Sequence, residues 1–128
     1  MNLIVLFNHT LTATQEGDAR VALQVEEIIL PPEDIRRLWS EVPPELENLG
    51  GWLGPVRLWL SSVAVAGDFV LIQGEFGATC LLVNFCHSQG LTPIYSTTRR
   101  EAVEEHTADG RVHIRHTFAH VRFRRYES

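Results

Sequence analysis

The sequence predicts an α/β domain: a mostly parallel sheet with helices on both faces and a C-terminal antiparallel hairpin. Three observations predict it. Over residues 1–98, short apolar runs alternate with helical patterns, as in successive strand–helix units. Residues 69–72, Phe-Val-Leu-Ile, form a continuous apolar run of strand formers, which suits a strand buried on both faces. After residue 98 the pattern changes: Arg111-Val112-His113-Ile114-Arg115 alternates strictly and follows Asp109-Gly110, a hairpin signal.

The elements follow in order. Residues 2–7 read as an apolar strand ending in Asn8-His9-Thr10. Thr12 or Thr14 caps a helix reaching about Leu23, with Ala19 and Leu23 on one face. Residues 25–30 form a second strand. Pro31-Pro32 and the acidic pair Glu33-Asp34 open a helix that buries Ile35, Leu38 and Trp39. Residues 42–45 break it, and residues 45–49 supply one helical turn. Gly50-Gly51 leads into a helical stretch over residues 52–65, with Leu53, Val56, Leu60 and Val63 as its apolar stripe and Pro55 interrupting it early. The strand at 69–72 is followed by Gly74 and Gly77 and then a helix over 78–88. Residues 92–96 form another strand, closed by the loop Thr97-Thr98-Arg99-Arg100. Residues 101–107 pair with 111–115, a helix over 101–105 being the alternative, and residues 121–124 alternate again.

A chain of 128 residues is expected to be a single domain, 1–128, with a sizeable core. No run approaches membrane-span length, and residues 3–7 are too short for a signal core, so a cytoplasmic protein with no membrane partner is expected. Cys80 and Cys86, six apart on a predicted helix, fit neither a metal knuckle nor a redox pair and read as reduced core residues. The spacing of the His residues suits no metal site, because alternation splits His113 from His116. Neither metal nor cofactor is expected. A net charge of −5 argues against binding long nucleic acid. That charge is unevenly spread. Residues 1–98 hold 4 Arg against 11 acidic groups, whereas residues 99–128 hold 7 Arg against 5. Every basic residue is Arg, the side chain whose planar fork suits phosphate oxygens.

Ligands of an open parallel sheet bind beyond the C-terminal ends of its strands. Three polar loops converge there: Asn8-His9-Thr10, the segment from Gln73 through Gly74, Glu75, Phe76, Gly77 and Ala78 to Thr79, and Thr97-Thr98-Arg99-Arg100. The second is a strand, a glycine turn and a helix start, which aims backbone N–H groups at an anion. It lacks the Lys of a P-loop and the spacing of a dinucleotide fingerprint. Its structural alternative is a tight turn before a core helix.

The chain also resembles a known family. Phe7-Asn8-His9-Thr10-Leu11-Thr12, Leu38-Trp39-Ser40-Glu41-Val42-Pro43-Pro44-Glu45, residues 70–79, residues 95–100 and His120-Val121-Arg122-Phe123-Arg124 are similar to a small stand-alone Csx-type family. Those proteins are CRISPR-associated and accompany type III systems. The resemblance implies a CARF (CRISPR-associated Rossmann-like) fold, a homodimer and a cyclic oligoadenylate ligand. For a chain too short to carry an effector nuclease, it implies a ring nuclease that degrades cyclic tetra-adenylate and ends the antiviral signal. Gly74–Thr79 lacks the basic residue that many CARF loops carry, and His9-Thr10 departs from their Asp-x-Thr-His-Gly motif.

A ribose 2′-hydroxyl held in line with its own phosphate attacks it without metal, leaving a 2′,3′-cyclic phosphate. In this reading Arg99, Arg100 and the N–H groups of residues 77–79 stabilise the developing charge, and His9 serves as acid or base, its alternative being a histidine hydrogen-bonded at a strand end. Glu75 reads an adenine amino group or a ribose hydroxyl, acts as base, or points away. Asn8, Thr10, Gln73, Gly74, Phe76, Gly77, Ala78, Thr79, Thr97, Thr98 and Arg100 complete the expected ligand contacts. Arg111, His113 and Arg115 share a face that either reaches over the ligand or is merely solvated. Two other readings use the same residues differently: a protein that sequesters the cyclic nucleotide, and a dimeric interaction domain with no nucleotide.

Overall fold

The computed structural model describes residues 1–128. Five strands form one sheet in the order β2-β1-β3-β4-β5: β1 (Leu3–Phe7), β2 (Ile28–Ile29), β3 (Phe69–Gln73), β4 (Thr92–His106) and β5 (Val112–Arg125). The first four run parallel, and β5 returns antiparallel to β4. Helix α1 (Ala13–Ala22) covers one face. Helices α2 (Glu33–Ser40), α3 (Gly54–Val63) and α4 (Phe76–Ser88) cover the other. Alternation along the strands divides the core. Ile4, Leu6, Val70 and Ile72 point to α2–α4, while Leu3, Val5, Phe69 and Leu71 point to α1, so the central strands are apolar on both faces up to Leu6 and Ile72.

Several boundaries differ from the sequence expectation for physical reasons. Pro55 begins α3 rather than interrupting it, because a first-turn proline lacks only a donor that has no partner there. Residues 45–49 form no helix; one long turn contact from Leu46 N to Pro43 O closes the bend after Pro43-Pro44. Cys86 is buried, and burial pushes its thiol up to about 12, but Cys80 is exposed and not a core residue.

The largest departure lies in β4. Residues 97–100 are not a loop; the strand runs through them to His106, and only Thr92, Pro93 and Ile94 pair with β3. Beyond Thr98 β4 has β5 alone for a neighbour, so the two strands project as a ribbon. With both faces open, no apolar alternation is needed, and local sequence cannot distinguish such a strand from a polar loop. The hairpin expected at Asp109-Gly110 is present. Gly110 takes φ +83, and the Asp109 carboxylate accepts from Arg111 N and Thr107 Oγ1.

Candidate functional site

The end of β3 is fixed from three sides. Trp39 Nε1 donates to the carbonyl of Gln73 at 3.1 Å, Tyr126 Oη donates to that of Ile72 at 2.6 Å, and Ser96 N donates to Gln73 Oε1 at 2.8 Å. The Gln73 side chain is thereby oriented with its NH2 group free. Gly74 follows because a Cβ there would lie 2.8 Å from Trp39 Nε1, so the contact that anchors Gln73 excludes any larger residue.

A cavity of about 510 Å³ opens beside this platform, lined by Phe7, Asn8, His9, Gln15, Gln73, Gly74, Thr98 and Phe118. The sequence reading brought Asn8, His9, Gln73, Gly74 and Thr98 to one edge, and they meet here. Phe7 and His9 stack edge to face with centroids 5.4 Å apart. A second depression of about 260 Å³ shares Phe7, Asn8 and His9 and continues past Thr10, Leu11 and Glu16 to Arg36. His9 therefore stands between the two. Arg36 is already engaged: Glu33 accepts from it at 2.6 and 2.9 Å, and that contact holds the Glu33 carboxyl below its usual range.

The glycine turn does not form the expected anion site. Glu75 caps α4, its Oε1 accepting from Gly77 N at 2.9 Å and its Oε2 from Ala78 N at 3.0 Å. Thr79 N bonds the Glu75 carbonyl within the helix, and the Thr79 hydroxyl is buried without a partner. The N–H groups assigned to phosphate thus serve a carboxylate from the same turn. Glu75 and Gly77 line a different depression, with Val42, Pro43 and Leu46, and Phe76 is 93% exposed.

Strand register separates the residues of the third loop. Thr98 pairs with His120, Arg99 with Ala119 and Arg100 with Phe118. Directly opposed residues share a face, so Arg100 lies on the face of Thr98 and Phe118, which line the cavity. Arg99 lies on the opposite face and is not brought to the cavity. Thr97 also points away; its hydroxyl donates to Arg122 O at 2.9 Å and accepts from Arg122 N at 3.2 Å, beside the register shift at Thr97/Thr98.

Sequence reasoning missed what lies beneath the cavity. Thr12 caps α1 in a capping box with Gln15. The Gln15 amide donates to Ser96 Oγ at 3.3 Å. Ser96 Oγ lies 2.5 Å from His120 Nδ1, and His120 Nε2 lies 2.7 Å from Asp18 Oδ2. The His120 side chain is 3% exposed, so this chain of contacts roots the ribbon on α1. Its members are far apart in sequence, and only the capping-box spacing of Thr12 and Gln15 left a local signal.

A model of the uncharacterized protein MJ1673 family matches residues 1–124. Uncharacterized protein MJ1673 of Methanocaldococcus jannaschii is 43% identical over 124 residues, covering 97% of this chain and 95% of that protein. No solved structure matches the chain.

Proposed function

The chain belongs to the uncharacterized protein MJ1673 family across residues 1–124, a span that takes in both walls of the cavity, and we propose that these walls bind a cyclic oligoadenylate. The proposal carries with it a CARF-type classification, a homodimer and, following the sequence resemblance, cyclic tetra-adenylate as the ligand. One observation carries the reading: a neutral, partly aromatic cavity at the strand ends lies beside a guanidinium on the same ribbon face. The cavity suits a base and its ribose. Phe118 offers a stacking surface, the free Gln73 NH2 donates to a ring nitrogen or hydroxyl, and Asn8 and Thr98 add polar contacts. Phosphates are then assigned to Arg100, since the N–H groups at the start of α4 are taken by Glu75.

The proposed reaction is ring cleavage. The ribose 2′-hydroxyl attacks the adjacent phosphorus, the P–O5′ bond breaks, and the products are a 2′,3′-cyclic phosphate and a 5′-hydroxyl. His9 moves the proton, to or from the reacting oxygens, and Arg100 balances charge on the phosphoryl oxygens. Holding the hydroxyl in line supplies the rest.

Incubation with labelled cyclic tetra-adenylate in excess EDTA tests this. Linear product with a 2′,3′-cyclic phosphate end is expected, and His9→Ala should lower turnover by about 10²-fold with binding little changed. A ring carrying 2′-deoxy positions should bind and remain intact. Retention of the native ring without cleavage favours the sequestering reading, which the self-capped α4 N-terminus also suits. Failure to bind any cyclic oligoadenylate removes both.

A further inference from the structure

We infer that the cavity-side face of the ribbon pairs with the same face of a second copy of this chain, through a two-fold axis at the Ala102–His116 pair. The inference does not rest on the ligand. Residues 98–106 pair with 112–120 in unbroken register, so nine opposed pairs alternate between two faces. One face carries Thr98 and His120, Arg100 and Phe118, Ala102 and His116, Glu104 and Ile114, and His106 and Val112. Its apolar members lie open: Phe118 is 69% exposed, Ile114 62% and Val112 51%. The other face carries Arg99, Glu101, Glu105, His113 and Arg115, with Val103 as its one exposed large apolar residue. There Arg115 is paired with Glu105 at 3.0 Å within the chain. On the apolar face Arg100 makes no ion pair, and Glu104 reaches only His106 at 3.9 Å. An isolated two-stranded hairpin is marginal in water. This one leaves unfinished the face that already holds its apolar surface.

The spacing makes that face complementary to itself. An axis through Ala102 and His116 exchanges positions two residues before and after them. Arg100 then meets the partner's Glu104, and Phe118 meets the partner's Ile114, each contact occurring twice, as a two-fold requires. On the other face, an axis at Val103 and Arg115 sets Glu101 against the partner's Glu105, a repulsion. A guanidinium has five donors, so Arg100 can hold a carboxylate on one edge and a phosphate on another. A face about 30 Å long and about 10 Å wide is small beside the roughly 800 Å² per partner of a standard interface. The dimer is therefore reversible.

Sedimentation equilibrium of the ligand-free chain tests this, with thermal melting as the check that each variant is folded. The wild type is expected to dimerise with concentration. Ile114→Asp, Arg100→Glu and Glu104→Arg should each weaken the dimer about tenfold or more, and the double reversal R100E/E104R should restore it. Three results overturn the inference: a wild-type monomer throughout, including one whose ribbon captures RNA or lipid vesicles instead; a dimer indifferent to Ile114→Asp and both single reversals; or a double reversal no better than the singles. Because no nucleotide is present, the outcome is independent of whether cyclic tetra-adenylate binds.

Discussion

The two walls of the cavity are held in opposite ways. The end of β3 is tied by Trp39, Tyr126 and Ser96, and the strand that leads to it is buried on both faces under helices through Ile72. The ribbon opposite is tied only at its root, by His120 between Ser96 and Asp18, and beyond Thr98 only its own partner strand touches it. One wall fixes where a ligand is read. The other presents side chains that a ligand, or a second copy, can meet. The cost of mutation should fall steeply from the first wall to the second.

Trp39→Ala should be the most damaging change. It empties a site 1% exposed and leaves the Gln73 carbonyl without its donor, a loss of about 3–5 kcal/mol by chemical denaturation. Phe118→Ala, an aromatic of similar bulk on the ribbon, should stay within about 0.5 kcal/mol. Comparable losses at both positions would dissolve the contrast. Gly74→Ala comes next, because the added Cβ strikes the Trp39 ring; about 1–3 kcal/mol is expected in the same measurement. The root of the ribbon sharpens the comparison further. His120→Ala leaves Ser96 and Asp18 without their shared partner and should cost about 1–3 kcal/mol, with faster amide exchange at residues 96–98. His116, two cross-strand pairs further out on the same face, should tolerate Ala with almost no change.

The same division explains what the sequence reveals. The rigid wall was legible because burial on both faces leaves an uninterrupted apolar run at 69–72, but the approach of Trp39 that requires Gly74 left no local signal. The hairpin turn was legible from Asp109-Gly110. The course of β4 through Thr97-Thr98-Arg99-Arg100 was not, because a strand solvated on both faces has the composition of a loop. Nor was the cap on α4. Glu is not a favoured cap residue, so Glu75 reads locally as a group awaiting a ligand, when its carboxylate is bound by its own helix. The site needed register rather than motif: Arg99 and Arg100 are equivalent by composition, and one residue of phase sends them to opposite faces.

That phase difference gives the most direct test of the site. Isothermal titration of cyclic tetra-adenylate into the wild type, Arg100→Ala and Arg99→Ala compares two adjacent guanidiniums that differ in the face they occupy. The wild type should bind, and Arg100→Ala should lose about 1.5–3 kcal/mol, the value of a hydrogen bond to a charged group. Arg99→Ala should bind nearly as the wild type does. Equal losses from the two variants, a larger loss from Arg99→Ala, or no binding by the wild type would contradict it.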